Sequence, residues 1–417
     1  MLKLKNMNKI INLKGFRDFL PEEKRVRDYI AAKIKDTFEI FGFEPLETPT
    51  LEYANLLLGK YGKEADKLVY TFDDRGGRKL GLRYDQTVPT ARVLSQYQDL
   101  PKYFRRYQIQ NVFRADKPQK GRYREFTQCD PDIFGSTSPI ADAEIIAVTY
   151  FAFKNVGFKN IILKINDRKI LFSILDKYKT DKIDILSIIQ TIDKLDKKSE
   201  NDVKNELIDK GLTSKESENA LNDIKNAQKT ENLEEIIRLS VNLGVPENAI
   251  EFSPFLARGL DYYTGMIFEV IIPEYSIGSF GGGGRYDKLI GQLSGTDIPA
   301  VGIAFGFDRM VEAAKELRLV PTANLGTKVL VTVFDANYLS NSIEITKTLR
   351  LKNISTELFP SIEKLDKQLK YADKKQIPYV IIVGQDEVKN NTVTLKNMKT
   401  KEQKTLTIDN VCKLLLA

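Results

Sequence analysis

The sequence of 417 residues contains no histidine. This absence excludes histidine-dependent catalytic triads, zinc sites with histidine ligands and the HRD loop of protein kinases. Cys129 and Cys412 are the two cysteines, which are too few for a structural zinc site and argue against a disulfide framework. The sequence also lacks a GxxxxGK[ST] phosphate loop. Chemistry in this chain must therefore depend on Arg, Lys, Asp, Glu, Tyr, backbone amides and bound metal ions.

The length predicts two or three domains, and an apolar content of 42% predicts packed cores. No apolar run is long enough to span a bilayer, and the N-terminal segment lacks the apolar region of a secretory signal. Together with the low cysteine content, these features predict a cytoplasmic protein. Of the net charge of +7, residues 327–417 carry +5 (15 Lys and Arg against 10 Asp and Glu). This excess fits a phosphate-backbone partner, and a lysine-rich solvated surface is the alternative.

A long amphipathic helix is predicted over Pro21–Phe41 and is ended by Gly42. Its apolar residues recur at helical spacing and form one buried stripe, which consists of Val26, Ile30, Ile34, Phe38 and Phe41.

A hairpin is predicted from two strand-like runs, Tyr103–Arg114 and Arg122–Cys129, which a polar, basic loop connects. Alternation with a period of two places one set of side chains on a single face of the second run: Arg122, Arg124, Phe126 and Gln128. Asp132 follows on that face if Pro131 keeps the register. Such a face either is solvated or lines a pocket.

Composition divides the chain into segments. Residues 166–245 are rich in Lys, Asp, Glu and Asn at helical spacing, which predicts a helical insertion into a core formed by residues 1–165 and 246–320. Within that core, Gly278–Gly284 is predicted to be a glycine-rich turn. Residues 321–326 are a predicted linker, and residues 327–417 alternate as β and α, which favours a small α/β domain with parallel strands.

Four collinear segments resemble those of the histidyl-tRNA synthetases, a class II synthetase family. They are LRYDQTVPTARV (Leu82–Val93), FRADKPQKGRYREFTQCDPDIFG (Phe113–Gly135), ARGLDYYTGMIFEV (Ala257–Val270), and SFGGGGRYDKLIG with AVGIAFGFDRM (Ser279–Gly291, Ala300–Met310). RGLDYYTG is close to a signature of this family. The resemblance implies a mixed α/β (α+β) fold: a class II antiparallel-sheet catalytic core with a helical insertion, plus a small C-terminal α/β anticodon-binding domain. It also implies a homodimer.

The resemblance implies ATP-dependent activation of L-histidine to histidyl-adenylate, followed by transfer to the 3′ end of tRNA(His). The histidine carboxylate is already an anion, so its attack on the α-phosphorus requires no general base, in keeping with an enzyme that lacks histidine. Positive charge placed beside the phosphates lowers the barrier instead. Mg²⁺ is expected to accompany ATP and to be held mainly by phosphate oxygens and water.

Residue roles follow from the same resemblance. Arg114 is expected to hold the α-phosphate and the substrate carboxylate, and Arg258 to act as a second catalytic arginine near the α-phosphate and the bound histidine. Arg309 is expected at the γ-phosphate, Arg122 near the phosphates, and Phe126 against adenine.

For the amino acid, the resemblance implies that Asp85 and Thr87 bind the α-ammonium group, with Gln128 beside them. Asp132 and either Tyr262 or Tyr263 would meet the imidazole. Some relatives have glutamate at the position of Asp132, so a water molecule is a possible relay there. Gly281–Gly284 would allow close approach of backbone to substrate. The loop residues expected to contact the tRNA acceptor end are Lys117, Gln119 and Lys120.

Taken singly, each of these residues also has a structural explanation, such as a surface arginine or a flexible turn. Two other functions share the fold: a non-catalytic regulatory subunit of the ATP phosphoribosyltransferase type, and an RNA-binding sensor module. The chain keeps Arg114, Arg258 and Arg309 together with a basic C-terminal segment, which favours the enzyme.

Overall fold

A computed structural model describes residues 11–58, 67–118, 121–258, 262–275, 278–321 and 326–416. The chain divides into two compact units, Met1–Asp18 with Ile30–Val320, and Phe19–Tyr29 with Pro321–Ala417. Residues 322–325 of the predicted linker lie outside the described residues, and the finer domain boundaries stay predictions. No described helix combines the length and apolar character needed to cross a membrane. Cys129 and Cys412 are buried and form no disulfide.

The strands of the first unit alternate with short and long helices. The strands are β1 (Glu44–Pro45), β2 (Leu51–Tyr53), β3 (Thr71–Asp73), β4 (Lys79–Leu82), β5 (Phe104–Phe113), β6 (Glu125–Phe134), β7 (Ile162–Asp167), β8 (Ile250–Phe252), β9 (Met266–Ile271), β10 (Gly281–Arg285) and β11 (Ala300–Gly306). The helices up to the end of this unit are α1 (Pro21–Ile40), α2 (Ala54–Leu57), α3 (Thr87–Gln96), α4 (Pro139–Val156), α5 (Arg168–Leu175), α6 (Ile185–Ile192), α7 (Glu200–Asp209), α8 (Ser214–Lys225), α9 (Glu231–Asn242), α10 (Leu289–Ser294) and α11 (Phe307–Glu316).

The main sheet of the first unit has eight strands in the order β1-β5-β6-β11-β10-β9-β7-β8. Its internal pairs are antiparallel, and only the edge pairs β1–β5 and β7–β8 are parallel. A small antiparallel sheet of order β2-β4-β3 lies in the same unit. The antiparallel sheet predicted for the core is therefore confirmed.

Helix α1 confirms the predicted helix with one difference at its end. Val26, Ile30, Ile34 and Phe38 are buried, whereas Phe41 lies beyond the last helical residue and is half-buried. Gly42 adopts a φ of +74° and donates to the Glu39 carbonyl at 3.0 Å, so the glycine ends the helix as predicted.

The predicted hairpin is β5–β6, although its second strand runs later than expected, over Glu125–Phe134. Pro131 pairs with Tyr107, and the next pair is Arg106 with Asp132. The proline therefore keeps the register, and even-numbered residues of β6 share one face. Because Gln128 and Asp132 both lie on that face, Asp130 between them lies there too.

The opposite face of the main sheet forms an apolar core with α1 and α4. Phe153 of α4 has its ring centroid 5.2 Å from that of Phe305 in β11 and 6.2 Å from that of Phe280. Phe38 of α1 contacts both Phe305 and Tyr107, at 5.6 and 5.5 Å. These rings fix one side of the sheet, so the other side is available for chemistry.

The segment Gly281–Gly284 is an interior strand, and the prediction of a turn was wrong. It pairs with β9 on one side and β11 on the other. A Cβ on Gly283 would lie 2.2 Å from the Gly302 carbonyl oxygen, and Gly284 adopts a φ of +156°. Glycine is required here by close strand packing, whereas glycine clusters in a sequence more often mark turns.

The predicted helical insertion is confirmed as mainly helical: α5 to α9 follow β7. These helices begin at residues whose side chains accept a hydrogen bond from the first turn, namely Asp167, Asp184, Ser199, Thr213 and Thr230. An apolar cluster of their own, which includes Leu171, Ile188, Leu207 and Ile224, buries the inner faces of α5 to α8, whereas α9 packs against α4.

The second unit contains a five-stranded sheet of order β13-β12-β14-β15-β16. Its elements are β12 (Val329–Val331), α12 (Leu339–Leu351), β13 (Thr356–Leu358), α13 (Leu365–Lys374), β14 (Tyr379–Ile382), α14 (Gln385–Asn390), β15 (Val393–Asn397), β16 (Gln403–Leu406) and α15 (Ile408–Leu416). The predicted parallel strands are β12, β13 and β14, but β15 and β16 add an antiparallel hairpin that was not predicted.

Candidate active site

The face of the main sheet that points away from the aromatic core is polar on two strands and nearly bare on two others. Strands β5 and β6 present Arg106, Gln108, Gln110, Gln128, Asp130 and Asp132. The neighbouring strands β10 and β11 present Gly282, Gly284, Gly302, Ala304 and Gly306. A floor of backbone without large side chains leaves space above it, into which loop residues and a ligand can enter.

Arg258 lies on this floor, directly over Gly282. A Cβ on Gly282 would lie 2.2 Å from the Arg258 guanidinium carbon. The guanidinium Nη1 contacts the Glu269 carboxylate at 2.6 Å. Burial disfavours the charged form, but the oxygens of Tyr263 and Glu269 outweigh this effect and raise the pKa of Arg258. The site therefore holds a permanent positive charge, and the guanidinium can occupy this position only because Gly282 below it has no side chain.

Arg114 follows β5 and is stacked between two rings. Its guanidinium carbon lies 4.3 Å from the Tyr84 ring centroid and 5.1 Å from that of Phe126. Its Nε donates to the Tyr84 carbonyl at 3.2 Å. Arg114 forms no ion pair with any residue that the structure describes, so a fixed guanidinium is presented without a protein anion.

Arg309, in the first turn of α11, donates to the Ser279 carbonyl oxygen. Burial lowers the pKa of Arg309. The nearby charge of Arg122 lowers it further, although other neighbouring groups oppose the shift. The Glu269 carboxylate acts on both Arg309 and Arg258. Arg122, Arg258 and Arg309 thus share one electrostatic neighbourhood, although Arg122 is well exposed and also lies 3.5 Å from Asp116. Clustered cations of this kind suit a polyanionic ligand.

The start of α3 forms a second wall of the site. Asp85 accepts a hydrogen bond from the Val88 amide at 3.1 Å, and Thr87 is half-buried. The Gln86 side-chain amide donates to the backbone carbonyls of Gln110 and Gln128, at 3.1 and 3.0 Å, which ties the helix to β5 and β6. Burial raises the pKa values of Asp130, Asp132 and Tyr262, and the nearby Asp85 carboxylate adds to each rise.

Asp132 is buried and engaged by protein groups. Its Oδ2 lies 2.7 Å from Nη2 of Arg106, and its Oδ1 accepts a hydrogen bond from the Tyr286 hydroxyl. Burial raises the pKa of Asp132, and the Arg106 charge opposes that rise. The predicted contact of Asp132 with the imidazole stays a prediction, and any such contact shares the carboxylate with Arg106 and Tyr286.

The two predicted tyrosines lie side by side, with ring centroids 4.6 Å apart. Tyr262 also packs edge-on against Tyr286, with ring centroids 5.9 Å apart. Among the neighbouring charges, Tyr263 has the largest effect on the pKa of Arg258. Tyr262 therefore lies towards Asp132 and Tyr263 towards the arginines. Between Arg258 and Tyr262, residues 259–261 lie outside the described residues.

The predicted tRNA-contacting loop is described only in part. Lys117 is exposed, and its backbone amide donates to the Asp116 carboxylate at 3.1 Å. Gln119 and Lys120 lie outside the described residues.

Four residues of the site were not predicted: Arg106, Asp130, Glu269 and Tyr286. Asp130 lies between Gln128 and Asp132 on the period-two face of β6, so the alternation already contained that signal. The same period-two alternation applied to β5 would have identified Arg106, which pairs with Asp132. The pairing of Glu269 with Arg258 and of Tyr286 with Asp132 depends on three-dimensional contacts, and no sequence pattern indicated it.

Metal-ligating side chains are not clustered in the described part of the chain: no group of three or more Cys, Asp or Glu residues is arranged to hold an ion.

Comparisons with known proteins place this arrangement in a family. Residues 15–310 match the family model of the histidyl-tRNA synthetases, and residues 328–417 match that of an anticodon binding domain. The histidine–tRNA ligase of Christiangramia forsetii is 41% identical, with 94% of this chain and 96% of the relative covered. That of Clostridium tetani is 37% identical, with 97% of each chain covered.

The structure is similar to solved structures over nearly its whole length, and the same family recurs among them. The crystal structure of histidyl-tRNA synthetase from Nostoc sp. PCC 7120 matches with a TM-score of 0.86 at 28% identity, covering 98% of this chain and 99% of the other. The apo histidyl-tRNA synthetase of S. aureus matches with a TM-score of 0.70 at 23% identity, which shows the fold alone. On the family model and the full-length relatives together, the chain belongs to the histidyl-tRNA synthetase family.

Proposed function

We propose that this site uses ATP to activate L-histidine as histidyl-adenylate and then transfers the histidyl group to the 3′ end of tRNA(His). The observation that carries the proposal is the placement of Arg258 over bare backbone, in one electrostatic neighbourhood with Arg122 and Arg309. Charge concentrated above a floor without side chains suits a nucleotide triphosphate that must lie close to the sheet.

In the first step, a carboxylate oxygen of histidine attacks the α-phosphorus of ATP, and the bond to pyrophosphate breaks. No proton is transferred, so positioning and charge provide the catalysis. Arg114 is fixed between the Tyr84 and Phe126 rings and presents its terminal nitrogens to the α-phosphate and the carboxylate. Arg258 stabilises the charge that accumulates on the α-phosphate, while Arg309 and Arg122 hold the pyrophosphate end.

In the second step, a hydroxyl oxygen of the terminal ribose attacks the carbonyl carbon of the adenylate. The carbon–oxygen bond to AMP breaks, and the proton of the hydroxyl passes to an oxygen of the departing phosphate. A chain without histidine has no imidazole to act as the base, which is why the substrate phosphate is assigned this role.

Mg²⁺ bound to ATP would neutralise charge on the triphosphate, and it would take most of its ligands from phosphate oxygens and water. Glu269 is paired with Arg258 at 2.6 Å and also acts on Arg309. One carboxylate can add a ligand to an ion that phosphate already holds, which matches the usual mode of Mg²⁺ binding.

The tRNA is proposed to contact both units. Residues 327–417 carry a balance of +5, and such charge binds phosphate backbones in a salt-dependent way. Lys117 lies at the exposed loop between β5 and β6, where an acceptor end would approach the site. A cytoplasmic location and a homodimer complete the proposal. The dimer is supported by exposed apolar side chains on the small sheet, Leu51, Tyr53 and Phe72.

The direct test is exchange of labelled pyrophosphate into ATP by the purified chain. We expect exchange that requires L-histidine and that none of the other standard amino acids supports. A regulatory subunit would show no exchange, and an RNA-binding sensor would bind tRNA(His) without it. Absence of histidine-dependent exchange in a folded preparation would overturn the proposal.

Asn166 is expected to position the segment that carries Arg258. Its side-chain amide donates to the carbonyls of Pro254 and Leu256, at 2.9 and 2.8 Å, from a fully buried position at the end of β7. Arg258 follows with a φ of +51°, a conformation that neighbouring contacts must maintain. Asn166→Ala is therefore expected to lower histidine-dependent exchange about 10-fold or more and to destabilise the fold by about 1–3 kcal/mol.

Exchange kinetics and urea unfolding measure these two effects. Asn226→Ala is the matched control, because Asn226 also donates to one backbone carbonyl, that of Asn222, but does so on the exposed surface of the insertion. If Asn166→Ala changes stability but leaves the turnover of the folded fraction unchanged, the positioning role is excluded.

A further inference from the structure

Two neighbouring carboxylates on β6 have different surroundings. Asp132 accepts a hydrogen bond from Tyr286 at Oδ1, and its Oδ2 lies 2.7 Å from Nη2 of Arg106 in an ion pair whose geometry is not that of a hydrogen bond. Asp130 lies two residues earlier on the same face, and its side chain is equally buried. Its Oδ1 has no hydrogen-bond partner. A buried carboxylate oxygen without a donor is costly, and in an enzyme site it identifies a place where a ligand donor belongs.

The strands on either side of Asp130 do not supply that donor. On β5 the opposite residue is Gln108, whose amide nitrogen donates to Thr48 at 3.2 Å and to the Gln110 side chain at 2.9 Å. On β11 the register places Ala304 beside Asp130, and alanine has no polar side-chain atom. Arg106 donates from Nη1 to the backbone carbonyl of Asp130 at 2.7 Å and directs Nη2 towards Asp132, and its buried Nε makes no hydrogen bond to Asp130 or to another described group.

The surroundings of Asp130 point towards the substrate. Burial raises the pKa of Asp130, and the smaller influences on it include Asp85 and Arg114, which are proposed to hold the ammonium group and the carboxylate of histidine. Gln128, the next residue on this face, also has a buried side-chain oxygen without a partner. The unpartnered acceptors of β6 therefore lie in a row from the expected ammonium position towards Tyr286.

We propose that Asp130 accepts the hydrogen bond from the ring N–H of the substrate imidazole, and that Asp132 positions Tyr286 and Arg106 behind it. This inference rests on the proposed function. The ammonium group has three N–H bonds, and Asp85, Thr87 and Gln128 already provide three acceptors for them. The imidazole N–H still needs an acceptor, and Asp130 has the carboxylate oxygen for which the protein provides no donor.

The test uses the full chain and compares L-histidine with its two ring N-methyl derivatives in pyrophosphate exchange. Methylation of either nitrogen leaves a neutral imidazole without a ring N–H, and the derivative methylated at the nitrogen that faces Asp130 also places a methyl group against the carboxylate, so the wild type is expected to prefer histidine over it strongly. In Asp130→Ala and in the similarly shaped Asp130→Leu, we expect the KM for histidine to rise about 10- to 100-fold. The preference for histidine over that derivative should fall by a similar factor, while the KM for ATP stays within about twofold.

Asp130→Asn keeps a carbonyl acceptor and is expected to recover part of the loss. If either apolar variant folds, judged by its thermal unfolding transition, it decides the question. An unchanged KM for histidine, or equal losses with histidine and both derivatives, overturns the role of Asp130. Failure of the wild type itself to show histidine-dependent exchange overturns the proposed function instead, so the two failures are distinguishable.

Discussion

Replacement of Arg258 by methionine is expected to lower the rate of histidyl-adenylate formation about 10²- to 10³-fold. The guanidinium lies on the sheet floor beside Glu269, where positive charge can act on the α-phosphate as it becomes more negative. Methionine fills similar space above Gly282 but carries no charge. Single-turnover formation of the adenylate measures the effect without interference from later steps.

Arg258→Lys is a second, informative variant. Lysine keeps the charge but has one nitrogen, so it cannot contact Glu269 and a phosphate oxygen through separate, fixed donors as a guanidinium can. We expect it to recover only part of the lost rate. Recovery to the wild-type rate would show that charge alone matters and that the fork geometry does not.

Arg238 provides the matched control. It is an exposed arginine on α9 that forms an ion pair at 2.7 Å with Glu235. Arg238→Met removes the same charge and a comparable pair, and it is expected to leave adenylate formation unchanged. If Arg258→Met forms the adenylate as fast as Arg238→Met, the proposed role of Arg258 is wrong.

The parts of the fold that could be predicted are those whose signal is local. Helix α1 was recognisable because its buried residues recur every turn and Gly42 ends it, and the β5–β6 hairpin because two apolar-polar runs flank a polar loop. The insertion was recognisable from composition and helical spacing. In each of these cases a property of neighbouring residues determines the structure.

The glycine strand β10 shows why other parts could not be predicted. Four consecutive glycines have no side-chain pattern, so alternation cannot reveal a strand, and their usual meaning is a turn. What makes Gly281–Gly284 a strand is pairing with β9 and β11, which are distant in sequence. The antiparallel pair β15–β16 escaped prediction similarly, since only Val393, Leu395 and Leu406 are apolar in a polar stretch.

The candidate site also contains residues that the sequence reveals and residues that it does not. The arginines and the residues of α3 and β6 were found because the motifs that carry them are recognisable. The partners that hold these groups in place were not. Tyr286 and Arg106 act on Asp132 from other strands and loops, and Glu269 reaches Arg258 from β9. A motif names the groups that meet the substrate, whereas the contacts that fix their geometry are distributed over the sheet.

The closest link between the glycine strand and the chemistry is Gly282. We expect Gly282→Ala to lower adenylate formation on the order of 10²-fold, although alanine touches no substrate. The added Cβ would lie 2.2 Å from the guanidinium carbon of Arg258. Since the obstructed atoms are the far end of a flexible side chain, the guanidinium will move and the strand will remain paired. Stability should therefore change little while activity falls.

Two other glycine variants separate these effects. Gly283→Ala, one residue later on the opposite face, would place its Cβ 2.2 Å from the Gly302 backbone oxygen, and backbone cannot move aside in a central strand. It is expected to lower the thermal unfolding temperature sharply. Gly76→Ala, whose Cβ would meet nothing closer than 3.4 Å in an exposed turn, is the neutral control for both properties.

A double variant tests whether Gly282 acts through Arg258. If the alanine methyl group harms activity only by displacing the guanidinium, Gly282→Ala should add little further loss once Arg258→Met has removed that group. Additive losses in adenylate formation would mean that the methyl group blocks the nucleotide itself. Glycine at position 282 would then be needed so that the nucleotide fits against the sheet, and not so that Arg258 does. The two explanations differ by about 10²-fold in the expected rate of the double variant.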